Sequence, residues 1–122
     1  LNIICSWNRL SNLERNLLVG ISVMNFPVDN HEEWKKSFEY HHEMGLWNFS
    51  TNPKQAYDII EKLINEGYLV EFKNHSFKKF LCRIALSAKM LSNTPYSEAE
   101  SFQEAVCLAA LRAKGVKLET CL

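Results

Sequence analysis

The residues best suited to chemistry lie close together. In Glu39-Tyr40-His41-His42-Glu43, Glu39 and His42 stand three apart. On a helix that spacing puts a carboxylate and an imidazole on one face, as a di-iron bundle requires. With His31, the stretch holds three of the chain's four histidines, so it is where a transition metal would bind. A di-iron site also needs a second Glu-x-x-His and two further carboxylates. The other acid-rich stretch, Glu98-Ala99-Glu100, has no histidine near it. Residues 31–43 are therefore read as a solvated polar helix. Glu39 and His42 are weak metal candidates, and a metal-dependent enzyme on this helix ranks third among the functions considered.

Nucleophilic and nucleotide chemistry find less. The cysteines at 5, 82, 107 and 121 lack the Cys-x-x-Cys spacing of zinc or redox sites and are expected to be free thiols. Cys107 sits in an unbroken apolar run and Cys82 on the inward side of an alternating segment, whereas a cysteine nucleophile needs an electropositive, partly exposed setting. Glycines at 20, 45, 67 and 115 are too scattered for a phosphate-binding loop, and no Gly-x-Ser-x-Gly elbow is present. No catalytic residue and no cofactor are assigned, and a non-enzymatic protein is expected.

Binding features are stronger. Between Phe72 and Ser97, Lys73, Lys78, Lys79, Arg83 and Lys89 occur without a single Asp or Glu. Asp29 to Glu43 carries five acids against Lys35 and Lys36. The basic stretch, residues 73–89, suits a nucleic-acid backbone, the acidic helix of a second copy, or simply an edge strand guarded by lysines. The stretch carries Phe72, Phe77 and Phe80 for stacking a base, but alternation turns Phe72 and Phe80 inward, which weakens that case. Trp34, Phe38, Tyr40, Met44, Trp47 and Phe49 form an aromatic-rich run that either marks a protein contact or folds back to close the sheet, the slightly favoured reading. Trp34, Phe38, Lys78, Lys79 and Arg83 are the partner-facing candidates. The leading function is docking to a protein, a host factor or the chain's own copy as a homodimer; nucleic-acid binding is the alternative.

Composition sets the frame. The chain has 122 residues, 47% hydrophobic and 23% charged, with no formal net charge. That suits one globular domain that builds its core without staples, and it excludes recruitment by bulk charge. The longest apolar run, Ala105 to Leu111, is seven residues, far short of the roughly 20 of a membrane span. Leu1 to Cys5 is too short for a secretory core and lacks a basic flank, so a cytoplasmic location with reduced thiols is expected.

Punctuation then predicts the elements that position these residues. Ser11-Asn12-Leu13-Glu14 is a capping box opening a helix from Asn12 to about Met24. Asp29-Asn30 starts a polar helix that Gly45 ends, and 26–45 is taken as an excursion from the core. Leu46 to Phe49 alternates like a short strand. Asn52-Pro53 opens a helix with apolar Ala56, Ile59, Ile60, Leu63 and Ile64, an expected Asp58–Lys62 pair, and a stop at Gly67. Tyr68 to Lys73 and Lys79 to Ile84 alternate around a turn at Asn74-His75-Ser76, which is an antiparallel hairpin. A short extended piece runs from Tyr96 toward Glu100, and Ser101-Phe102-Gln103-Glu104 caps a last helix closed by Gly115. The expected fold is α+β: one domain over 1–122, a small antiparallel sheet layered with helices as an α/β/α-type sandwich. Its best-defined core is 46–115, and residues 1–10 are the least defined.

From Trp47 to Gly115 these residues resemble the phage ABA sandwich domain. The matching stretches are Trp47-Asn48-Phe49-Ser50-Thr51-Asn52-Pro53 into Ala56 to Leu63, Gly67-Tyr68 into the hairpin, and Glu104 to Ala113. Val23-Met24-Asn25-Phe26 resembles that family's opening helix, which ends in a Met-Gly-Trp-like turn; here Asn25 and Phe26 stand for the glycine and tryptophan. The resemblance implies a small phage or prophage accessory protein acting in a bacterial host, and it transfers no catalytic residue.

Overall fold

The computed structural model describes the backbone of residues 4–26 and 31–119 and the side chains of residues 6–26 and 36–118. Strand β1 (Ile4–Ser6) passes through a 3-10 turn (Trp7–Arg9) into α1 (Asn12–Ser22). Then come α2 (His31–Glu43), α3 (Pro53–Asn65), β2 (Leu69–Ser76), β3 (Lys79–Ala85), α4 (Ala88–Ser92), β4 (Ser97–Ala99), α5 (Phe102–Ala113) and β5 (Lys117–Glu119).

The caps form where the sequence places them. The Ser11 hydroxyl accepts from Glu14 N–H at 3.2 Å while the Glu14 carboxylate accepts from Ser11 N–H at 3.0 Å, satisfying two first-turn donors at once. Asn52 accepts from Lys54 N–H with Pro53 in the first turn of α3. Ser101 caps α5, but Glu104 turns away toward Arg15, 3.7 Å off. Helix α1 stops at Ser22, where Asn25 takes a left-handed backbone (φ 58°) and Phe26 N–H donates to the Gly20 carbonyl at 3.0 Å. Asparagine tolerates that conformation better than most residues, so Asn25 does the work of a glycine in this turn.

β2, β3 and β4 form an antiparallel sheet in that order, with Phe72 opposite Cys82 and Phe80 opposite Ala99. β1 and β5 pair separately and in parallel, giving the first residues a place that their sequence does not announce. Helix α5 is the centre: every residue from Ala105 to Leu111 is buried, against β3 and β4, α3, α1 and β5. That is why this helix is apolar all round rather than along one stripe. Cys82 and Ile84 meet it from the sheet, and Ala56, Ile59 and Leu63 from α3. The class is α+β, in one small domain.

Several local expectations change. Leu46 to Phe49 is no strand, because side chains satisfy its backbone. Gln55 Oε1 accepts from Asn48 N–H, Gln55 Nε2 donates to the Gly45 carbonyl at 2.8 Å, and Asn52 N–H closes a turn on Asn48 O at 2.8 Å. The hairpin turns at Phe77-Lys78, later than Asn74–Ser76, after a register shift between Asn74 and Ser76. Lys62 pairs with Glu66 rather than Asp58, and Lys114 joins the same carboxylate at 2.7 Å. Residues 87–93 hold α4, capped by the Ser87 hydroxyl on Met90 N–H at 3.1 Å.

The described part of the 26–45 segment packs inward through Phe26 and Phe38. Phe38 is fully buried, and Phe26, Phe38, Trp47 and Phe49 cluster with ring centroids 4.5 to 6.2 Å apart. Gly20 makes this approach feasible: a Cβ there would lie 2.7 Å from the Phe26 ring and 2.9 Å from Phe38. A single turn of Phe38 thus anchors a helix whose apolar stripe is thin.

Candidate functional site

Two groups of polar residues deserve comparison, one inside and one on the hairpin. Inside, Asn16 is fully buried. Its Oδ1 accepts from both Ser50 N–H and Ser50 Oγ at 2.9 Å, and its Nδ2 lies 3.3 Å from His42 Nδ1 and 3.4 Å from Asn48 Oδ1. The Asn48 amide also donates to the His42 carbonyl at 3.3 Å. His42, the sequence's metal candidate, is therefore part of a network joining α1, α2 and the 46–50 turn. His41 is likewise occupied, with Nδ1 2.6 Å from the Ser37 carbonyl and its ring stacked on Trp47 at 4.1 Å. Among the described residues, no three His, Cys, Asp or Glu converge as metal ligands; Glu39 shares a pocket lining with one other carboxylate, Glu14, and with no His or Cys. Sequence reasoning missed Asn16, because a lone asparagine on a helix carries no mark of burial.

The described cysteines are thiols. Burial pushes Cys82 up to about 12, and it pushes Cys107 higher still, with Glu104 adding to the effect. Cys107 donates its weak S–H toward the Phe49 carbonyl at 3.4 Å. A group held protonated in the core cannot serve as a thiolate nucleophile.

On the sheet face away from α5, Glu71 gathers the cations. Arg83 donates to it through Nε and Nη2 at 3.1 and 2.8 Å, Tyr96 donates its hydroxyl to the other oxygen, and Lys73 lies 3.7 Å away. The Tyr96 hydroxyl first and Arg83 second hold the Glu71 carboxyl below its usual range. Arg83 also stacks over the Tyr96 ring at 4.4 Å and reaches the Thr94 carbonyl. Arg83, expected to face a partner, is thus engaged within the domain.

The remaining partner-facing candidates divide. Phe38 is core, a correction that follows from the close approach at Gly20. The Trp34 side chain lies outside the described residues. Lys78 and Lys79 are exposed at the hairpin turn, Lys78 in a left-handed conformation (φ 59°) and Lys79 3.3 Å from Glu98. Between them and the strand end stands Phe77, 91% exposed, with Lys78 Nζ 5.7 Å from its ring. Of the three hairpin aromatics, alternation turned Phe72 and Phe80 inward and left Phe77, and the turn at Phe77-Lys78 is where the structure exposes it. Phe72 itself is 39% exposed, half inward against Phe102 and half open.

Beneath the hairpin tip a cleft of about 710 Å³ runs between β4, the 104–112 face of α5, and Trp7 and Leu118. Its charges are mixed: Arg15, Lys78, Lys79 and Arg112 face Glu98, Glu100 and Glu104. The Trp7 indole N–H is buried without an acceptor. No described helix is long and apolar enough to cross a membrane.

The family model for the phage ABA sandwich domain matches residues 17–111, from the middle of α1 to near the end of α5, with the three-stranded sheet between. No curated protein and no solved structure matches the chain. The matched span covers most of the molecule, and it includes the Asn25–Phe26 turn, the Asn52-Pro53 helix entry and the central apolar helix. The chain belongs to the phage ABA sandwich domain family.

Proposed function

We propose that this phage-family domain is a non-enzymatic binding module that docks to another protein through the β2–β3 hairpin. The observation that carries this reading is Phe77: a phenylalanine 91% exposed at a turn, beside Lys78 and Lys79. A ring left exposed adds nothing to the stability of the fold, and such rings recur as anchors that fill a pocket on a partner. The lysines favour a partner whose pocket rim is acidic. The protonated state of Cys82 and Cys107 and the internal engagement of His41 and His42 also support a binding role over catalysis. The test is affinity capture from a bacterial host extract with wild-type and Phe77→Ala baits. The expected result is a specific protein lost on Phe77→Ala while the melting temperature stays unchanged. Equal capture by both baits would refute the hairpin as the contact.

Nucleic-acid binding keeps one observation in its favour, since Phe77 with Lys73, Lys78 and Lys79 also makes a stacking platform beside cations. It predicts binding of single strands that weakens steeply with salt. Absence of binding at low salt ends that reading.

A further inference from the structure

We propose that β2 is a self-pairing edge: two copies of this chain join antiparallel through β2, centred on Phe72, into one six-stranded sheet. The proposal rests on the reading that the protein works by docking to protein, and it names the partner as a second copy.

β2 ends the strand order, and among the described residues no strand pairs with its outer side. An eight-residue edge of this kind is a template for another strand. Some of the exposed large apolar residues lie on it: Leu69 at 43% and Phe72 at 39% exposure, with Phe77 just beyond its end at the tip, while Tyr40, Met44, Leu46, Leu86 and Met90 are exposed elsewhere. Tyr57 extends the row, its ring 4.9 Å from Phe102, which lies 4.8 Å from Phe72.

Symmetry then selects the register. A two-fold axis perpendicular to the sheet keeps both α5 helices on the same side and places residues of like parity opposite each other. Three registers bring the middle of β2 to the axis. One sets Glu71 against Glu71 of the second copy, one sets Lys73 against Lys73, and one sets Phe72 against Phe72. Like charges directly opposite disfavour the first two. The third puts each Glu71 opposite the other copy's Lys73 and lets the two Phe72 rings meet beside Phe102. On the opposite face, away from α5, Glu71 is already fixed by Arg83 and Tyr96, and Lys73 lies within 3.7 Å of its carboxylate. A lysine on an edge deters pairing with strangers; in this one register it meets a glutamate. The register shift at Asn74–Ser76 limits regular pairing to about Val70–Asn74. Beyond it each tip carries Phe77 toward the start of the other copy's β2, where Ile64 and Leu69 are exposed and Gly67 leaves open space.

The experiment is sedimentation velocity on the full untagged chain over a concentration series, with three variants. Lys73→Glu should weaken the dimer about tenfold by setting like charges opposite each other at two symmetric sites, whereas Lys89→Glu, the same charge change on α4, should leave it unchanged. Phe72→Cys should cross-link to itself on oxidation, mapped by mass spectrometry. A dimer with these three responses supports the proposal. A dimer insensitive to Lys73→Glu, or lacking the Phe72→Cys cross-link, overturns the β2 interface while the docking reading stands. A monomer that still captures a host protein through Phe77 overturns self-pairing alone. A monomer that captures nothing overturns both.

Discussion

Asn16→Ala tests the buried network most directly. In the folded protein Asn16 Oδ1 is the acceptor for two Ser50 donors, and Ser50 is 1% exposed. Removing the amide leaves the Ser50 N–H without its acceptor in the interior, and a stranded buried donor costs about 1–3 kcal/mol. The hydroxyl can rotate in search of another acceptor, so its share is smaller, and the total is about 2–4 kcal/mol. A domain of this size has roughly 5–15 kcal/mol in all. With a urea slope of about 1–3 kcal/mol per molar, the unfolding midpoint should fall by about 1–2 M. Ser50→Ala gives the internal check. Alone it removes one hydrogen bond and costs about 1 kcal/mol. Added to Asn16→Ala it should cost almost nothing, because the hydroxyl it deletes has already lost its acceptor, so the cycle shows coupling. Equilibrium urea unfolding by far-UV circular dichroism measures all four proteins. An Asn16→Ala unfolding free energy within about 0.5 kcal/mol of wild type, or strictly additive costs, would refute the claim that this network holds α1 to the 46–50 turn.

Phe38→Ala should cost about 3–5 kcal/mol, since the ring is fully buried among Phe26 and Trp47; thermal melts and Trp fluorescence would show it, and a stable variant would return Phe38 to the surface. Gly20→Ala should also destabilise, by about 1–3 kcal/mol for overpacking against Phe26 and Phe38, even though alanine is the better helix former. The Glu71 carboxyl is held below its ordinary value of 4.5 by Tyr96 and Arg83, so the stability it contributes is present at neutral pH and is lost as pH falls through its folded value. Glu71→Gln should flatten that acid limb in a melting series from about pH 7 to pH 3, and an unchanged slope would contradict the assignment. Cys82, pushed up to about 12 by burial, should resist alkylation at about pH 8 in the native protein and label on unfolding, read by peptide mass spectrometry; rapid native labelling would show that β3 opens.

Where a local signal is also a local cause, the sequence suffices. Ser11 with Glu14, Asn52 with Pro53, and the unbroken Ala105–Leu111 run each contain the groups that fix the element they announce. The α+β class, the hairpin and the central helix follow from them. The features that failed depend on partners outside the segment that announces them. Leu46 to Phe49 alternates like a strand, yet Gln55 and Asn52 supply its hydrogen bonds and bend it into turns. Phe38 sits on a polar helix with a thin apolar stripe, and only the missing side chain at Gly20 lets its ring reach the core. β1 pairs with β5 across nearly the whole chain, a contact that three residues at each end cannot advertise.

The candidate site divides in the same way. Lys78 and Lys79 were legible as a basic turn, since charge is written in residue type. How far each hairpin aromatic stands exposed was decided by the position of the turn, which leaves Phe77 at 91% and Phe72 at 39%. Arg83 and Glu71 find each other because cross-strand register sets them opposite, which ties the half-buried Arg83 to its own domain. By itself the sequence determined caps, periodicity and the sign of each patch, because these act within a few residues. Tertiary structure alone decided which polar groups are buried, which ring is exposed and which strand edge is left open, because burial and pairing belong to residues that only the fold brings together.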